Sequence, residues 1–120
     1  MSAFRILLIE DNRDAIDALS ALLEMDGHTV RTAFDGVDGV RDALAHPPEI
    51  IICDLGLPRL DGYGVARALR RRPELATTIL VALSGYAQAR DKEQAAASGF
   101  RFHLAKPADL EELRAIIHRC

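Results

Sequence analysis

The chain has 120 residues, 49% of them hydrophobic and 28% charged, which excludes disordered, collagen-like and coiled-coil classes and, at roughly 100–200 residues per domain, predicts a single domain over residues 1–120. Fifteen Lys and Arg against eighteen Asp and Glu give a net charge of -3, without the basic excess that non-specific nucleic-acid binding needs. Cys53 and Cys120 form no CxxC or Cys/His cluster, so neither a disulfide framework nor a zinc site is implied.

The first strand-like run is Phe4 to Glu10. Its apolar part, Ile6 to Ile9, is enclosed by Arg5 and Glu10 and is far too short for a membrane span or a signal segment, so a cytoplasmic chain that makes no membrane contact is expected. A helix follows with Ile16, Leu19, Leu22 and Leu23 on one face and Gly27 at its end. A strand over Thr29 to Phe34 leads to a helix carrying Val37, Val40 and Leu44, closed by Pro47-Pro48. The third strand, Glu49 to Asp54, precedes a helix with Val65, Ala66 and Leu69, closed by Pro73. Thr78 to Ser84 is the fourth strand. The helix after it, about Gln88 to Ser98 and ended by Gly99, offers only Ala89, Ala95, Ala96 and Ala97 as apolar residues. It is either the most weakly docked helix and a moving part, or a helix at the edge of a small core with no switching role. Phe100 to Ala105 is the fifth strand. The last helix opens with the capping-box pair Asp109 and Glu112, ahead of Leu110, Leu113, Ile116 and Ile117.

Three of the strands are continuously apolar instead of alternating, as strands buried on both faces are. Alternating strands and helices force parallel pairing, and the fold expected is a doubly wound α/β domain with five strands and five helices. In such a sheet the ligand crevice lies outside the carboxyl ends of the strands. Those ends carry Glu10 and Asp11, Asp54, Ser84, and Lys106 with Pro107. Three carboxylates meeting in one crevice raise one another's pKa unless a cation neutralises them, and an all-oxygen donor set with open positions favours Mg²⁺ or Mn²⁺. A hydroxyl from Ser84 and a mobile charge from Lys106 suit a transferring phosphoryl group, with Asp54, on the middle strand, as the nucleophile. Each residue also has a plainer reading. Asp11 or Asn12 can simply cap the next helix, Ser84 can be a turn residue, and a lone Lys before Pro can be a solvated surface charge.

Glu10-Asp11, the run Asp54-Leu55-Gly56-Leu57-Pro58 with Asp61-Gly62 beyond it, Ser84-Gly85 and Lys106-Pro107 follow the order and spacing of a known family. The sequence resembles receiver domains of two-component response regulators over essentially its whole length. The stretch Gly99 to Asp109 looks most like receivers fused to hybrid histidine kinases. The resemblance implies a flavodoxin-like sheet of order 2-1-3-4-5. It implies that Asp54 accepts a phosphoryl group from a phosphohistidine, that Asp11 binds Mg²⁺ directly with Glu10 assisting, and that the Gly56 backbone carbonyl completes the protein ligands. Ser84 and Lys106 would contact the phosphoryl oxygens, and Pro107 would follow a cis peptide. The family commonly switches through a Tyr or Phe three residues before the Lys. His103 stands there instead, either as a switch or as a surface residue with no such part. Tyr86 either shields the acyl phosphate from water or is an exposed loop aromatic. Cys53, next to Asp54, points to the opposite side of the sheet as a small core residue, and Cys120 is expected to be exposed.

The function expected is that of a phosphorelay switch that catalyses only its own phosphorylation and dephosphorylation. Its partners are a histidine kinase or histidine phosphotransfer protein and an unidentified downstream protein, with no direct nucleic-acid contact. One alternative is a haloacid-dehalogenase-like phosphatase, which needs a second Asp where Gly56 stands. Another is an interaction domain of the same fold that is never phosphorylated.

Overall fold

The computed structural model describes residues 3–85 and 89–120. Strands β1 (Arg5–Ile9), β2 (Thr29–Ala33), β3 (Ile50–Asp54), β4 (Ile79–Ser84) and β5 (Phe102–Ala105) alternate with helices α1 (Arg13–Met25), α2 (Gly36–Ala45), α3 (Gly62–Arg70), α4 (Ala89–Ser98) and α5 (Leu110–His118). All four strand pairings are parallel, and the order is β2-β1-β3-β4-β5. This is the expected doubly wound, flavodoxin-like sheet.

The middle of the sheet is where the sequence is continuously apolar. Every residue of β3 is buried, Ile50, Ile51 and Ile52 to 1% exposure or less, and each such side chain contributes about 1.5–3 kcal/mol by leaving water. Alternation along the strands then sorts two cores. Leu7, Ile9, Ile51 and Cys53 meet Ala43, Val65, Leu69 and Ala95 from α2, α3 and α4. Ile6, Leu8, Ile50 and Ile52 meet Ile16, Leu23, Leu113 and Ile117 from α1 and α5. Cys53 therefore faces away from the α1 side, as expected of a core residue, and its thiol donates to the Asp54 carbonyl at 3.4 Å.

The helix ends follow their local chemistry. Asn12, Asp35, Asp61 and Asp109 cap α1, α2, α3 and α5 with side-chain oxygens that accept backbone N–H groups. For α5 the acceptor half of the expected capping box is in place, with Asp109 taking the N–H groups of Glu111 and Glu112. Gly27 and Gly99 take positive φ, 96° and 116°. In each case the paired hydrogen bonds that end a helix on a left-handed residue are present: Gly27 N–H to Glu24 O with His28 N–H to Leu23 O, and Gly99 N–H to Ala96 O with Phe100 N–H to Ala95 O. Phe100 thus closes α4 instead of opening β5, and the Arg101 N–H donates to the Leu80 carbonyl of β4 at 2.8 Å just before β5 begins. Pro73 does not close α3, which has already ended at Arg70; it opens a short 3₁₀ turn, Pro73–Leu75, where its missing N–H costs nothing. Cys120 is half-buried, contrary to expectation, because its thiol turns back to donate to the Ile116 carbonyl at 3.3 Å.

Among the described side chains of α4, few are buried. Ala95 and Ser98 are buried, whereas Ala96 and Ala97 are exposed. Its last turn is tied to α3 by Arg70, whose Nη1 donates to the Ala97 carbonyl at 3.1 Å.

Candidate functional site

The parallel sheet brings the carboxyl ends of β1, β3 and β4 to one edge, together with the residue that follows β5. Glu10 follows β1 and continues its ladder by donating its N–H to the Ala33 carbonyl at 3.0 Å. Its Oε2 accepts the Asn12 N–H at 3.1 Å. The capping question at α1 is settled by Asn12, whose Oδ1 accepts the Ala15 N–H at 3.0 Å. Asp11 is therefore not needed as a cap and stays exposed beside the crevice.

Asp54 ends β3 and is 6% exposed. Its Oδ1 accepts the Gly56 N–H at 2.9 Å, and Lys106 Nζ stands 2.6 Å from its Oδ2. The same ammonium is 2.6 Å from Glu10 Oε1. The solvated-surface reading of Lys106 is thereby overturned: it is an internal counter-ion to two buried carboxylates. Its backbone is held as well, since the Lys106 N–H donates to the Ser84 carbonyl at 2.8 Å, extending the β4–β5 pairing, and the Lys106–Pro107 peptide is cis as expected. Ser84 is buried at the end of β4.

Carboxylate oxygens of Glu10, Asp11 and Asp54 lie within 4.8 Å of one another. Burial pushes the Glu10 carboxyl above its ordinary value. The Lys106 ammonium and the Asn12 N–H oppose that shift, and neighbouring Asp11 and Asp54 add to it. Loss of water, more than mutual repulsion, is thus the larger cause at Glu10. For Lys106, burial alone would lower the pKa, but its hydrogen bonds to Asp54 and Glu10, and their charges, outweigh it and hold the ammonium above its usual value.

Ionised, the three acids exceed the one ammonium by two negative charges. The donors are all hard oxygens, and Asp11 opens the cluster to solvent. This set fits a small divalent cation such as Mg²⁺ or Mn²⁺ and is a poor match for zinc. Gly56 lies two residues beyond Asp54, where a Cβ would meet nothing nearer than Asp54 Oδ1 at 3.8 Å.

His103 is half-buried rather than on the surface. It pairs in register with Ala82, on the α4 side of the sheet, and both ring nitrogens are out of reach of solvent. Tyr86 falls outside the described residues. The link from Lys106 to Glu10 was not foreseen; its only signal in the sequence is the surplus of acids over bases at the strand ends.

A family model described as the response regulator receiver domain matches residues 6–118. Among curated proteins, the chain is 39% identical over 119 residues to the DNA-binding dual master transcriptional regulator RpaA of Synechocystis sp., covering 96% of this chain and 49% of that protein. It is 32% identical to Protein PilH of Pseudomonas aeruginosa over 95% of this chain and 94% of that one. The chain thus spans about half of the longer relatives and nearly all of the shorter. Among solved structures, the receiver domain of a sensor histidine kinase from Pseudomonas aeruginosa, which has a magnesium ion coordinated in its active site cleft, matches with a TM-score of 0.89 and 33% identity over 98% of this chain and 97% of that one. The chemotaxis protein CheY4 of Vibrio cholerae shares the fold, with a TM-score of 0.92 at 24% identity over 98% of each chain.

Proposed function

The chain belongs to the response regulator receiver family, and from that membership we propose that it is a phosphoacceptor in a two-component relay, modified on Asp54. The observation that carries this reading is the placement of Asp54: a buried carboxylate at the end of the central strand, gripped at one oxygen by an ammonium and at the other by a backbone N–H. Each oxygen keeps a further lone pair, so the group is oriented without being blocked.

In the transfer step an Asp54 oxygen attacks the phosphorus of a partner's phosphohistidine. The oxygen–phosphorus bond forms as the phosphorus–nitrogen bond breaks, and the electron pair stays on the departing imidazole. Lys106 places its positive charge beside the oxygen that receives the group, and the Ser84 hydroxyl donates to a phosphoryl oxygen. Glu10, Asp11, Asp54 and the Gly56 carbonyl are the residues that would hold Mg²⁺ or Mn²⁺. Bound there, such an ion would offset the charge of the phosphoryl oxygens and of the crowded carboxylates together. Water attacking the phosphorus of the acyl phosphate breaks its bond to the Asp54 oxygen, restores the carboxylate and releases inorganic phosphate.

The donor is a histidine kinase or a histidine phosphotransfer protein. A cleft of about 490 Å³ beside Lys106 and Glu10, walled by Ala15, Ala18, Leu19, Leu22 and Pro107, supports docking of an apolar helical surface there. The output is a second protein that reads α4, β5 and α5, with His103 coupling β5 to the site.

Incubation with acetyl phosphate and Mg²⁺ is expected to raise the intact mass by one phosphoryl group in the wild type and not in Asp54→Asn. Label retained by Asp54→Asn would overturn the assignment.

A further inference from the structure

The loop joining β3 to α3 starts beside the acidic cluster, where the Gly56 N–H donates to Asp54 Oδ1 at 2.9 Å, and it is pinned at its base. The Leu55 N–H donates to the Leu83 carbonyl at 2.9 Å, and the Gly62 N–H donates to the Leu55 carbonyl at 3.0 Å. At its outer part Arg59 has φ 67°, a left-handed backbone that glycine adopts freely and a side-chain-bearing residue does not. The Leu60 N–H donates to the Pro58 carbonyl at 2.8 Å across it. The result is a three-residue γ-turn of the rare, strained hand.

Such a conformation persists only where its surroundings impose it. Here the surroundings are the first turn of α2. Arg59 Nη1 donates to Asp35 Oδ2 at 3.1 Å, and Asp35 is itself fixed, because its Oδ1 accepts the Asp38 N–H at 2.8 Å as the cap of α2. The Asp35 side chain is 14% exposed against 55% for Arg59, so a mobile cation is drawn to a seated anion. The Asp38 N–H first, and the Arg59 guanidinium after it, hold the Asp35 carboxyl below the usual carboxylate range. Alongside, a Cβ on Gly36 would collide with the Leu60 carbonyl oxygen, which shows the loop backbone lying directly on the helix.

We infer that the Arg59–Asp35 ion pair is a positioning clasp, which holds the strained turn against α2 and thereby sets where the Gly56 carbonyl and Asp54 carboxylate stand for metal binding. This rests on the reading of Asp54 and Gly56 given above. Arg59 touches neither the metal ligands nor the reacting atoms; it acts through the loop that carries them.

Arg59→Gln removes the charge, and Asp35→Asn removes it from the other side while keeping an oxygen able to cap α2. Each is expected to weaken Mg²⁺ binding, read by calorimetric titration, by about two- to fivefold, the effect of a partly exposed ion pair. Each should also speed hydrogen exchange of the Leu60 amide in the metal-free protein. The double variant should be no worse than either single one, and Arg59→Lys should recover most of the loss. Arg31→Gln, which breaks the Arg31–Asp42 pair between β2 and the same helix, should alter stability and leave Mg²⁺ affinity unchanged. Wild-type Mg²⁺ affinity and Leu60 exchange in both single variants, or effects that add in the double one, would overturn the clasp. A wild-type protein that binds no Mg²⁺ would overturn the metal-site reading instead, and Leu60 exchange would still report whether the clasp holds the turn.

Discussion

The ammonium of Lys106 lies 2.6 Å from Asp54 Oδ2, across 52 positions of sequence. Because that ammonium also meets Glu10, replacing it strands two carboxylates that are each only 8% exposed. Lys106→Met is expected to destabilise the metal-free protein at neutral pH by about 1–3 kcal/mol, the buried-pair cost reduced for the partial exposure of the Lys itself. Urea titration measures it, and unchanged stability would show that the pair is weakly held.

The titrations of Glu10 and Asp26 should tilt stability in opposite directions. Burial raises Glu10, so the folded protein binds its proton more tightly than the unfolded chain does. Its contribution is therefore lost as pH rises from the ordinary value of 4.5 through the higher folded one. Asp26 is lowered by its hydrogen bonds from Arg114, so its contribution is present above the ordinary 3.8 and is lost as pH falls below it. Lys106, raised, keeps its contribution up to its ordinary 10.5 and loses it above. A decline above pH 4.5 is expected in melting curves of the wild type and should be missing from those of Glu10→Gln. An identical profile in both proteins would contradict the assignment.

Divalent cations should stabilise the fold through Asp11. At ten times its dissociation constant Mg²⁺ is expected to add about 1.4 kcal/mol to the wild type, and clearly less to Asp11→Ala. Asp11 is exposed and does not cap α1, so its removal disturbs little else. Differential scanning calorimetry with and without Mg²⁺ checks this, and equal shifts would remove Asp11 from the ligand set.

Two glycines should respond unequally to alanine. Gly36→Ala drives a methyl into the Leu60 carbonyl and should cost about 1–3 kcal/mol. Gly56→Ala makes only an ordinary van der Waals contact, with Asp54 Oδ1 at 3.8 Å, and should stay within about 0.5 kcal/mol. Chemical denaturation of the two variants gives the comparison directly.

The strands and helices were legible in the sequence because burial on both faces leaves unbroken apolar runs such as Ile50 to Cys53, and because Gly27, Gly99 and the capping acids mark where helices turn. The strand-end acids were legible because parallel topology dictates where such ends gather. Lys106 could be placed at that edge, but its reach to Glu10 depends on side-chain path and burial, which no spacing encodes. The left-handed Arg59 was illegible for a different reason. Arginine carries no turn signal, and the contact that holds it comes from Asp35, 24 positions earlier. Whether Asp11 or Asn12 capped α1 was undecidable from residue type alone, since both cap well.

If α4 moves, the Arg70 bond to the Ala97 carbonyl makes it a lever. A rod fastened at Ala97 would rotate about that point instead of sliding, and the eight steps back to Ala89 at 1.5 Å each put its first residue about 12 Å from the pivot. A tilt of a few degrees would then sweep about an ångström where the helix begins, near the carboxyl edge of the sheet, and almost nothing at the fulcrum.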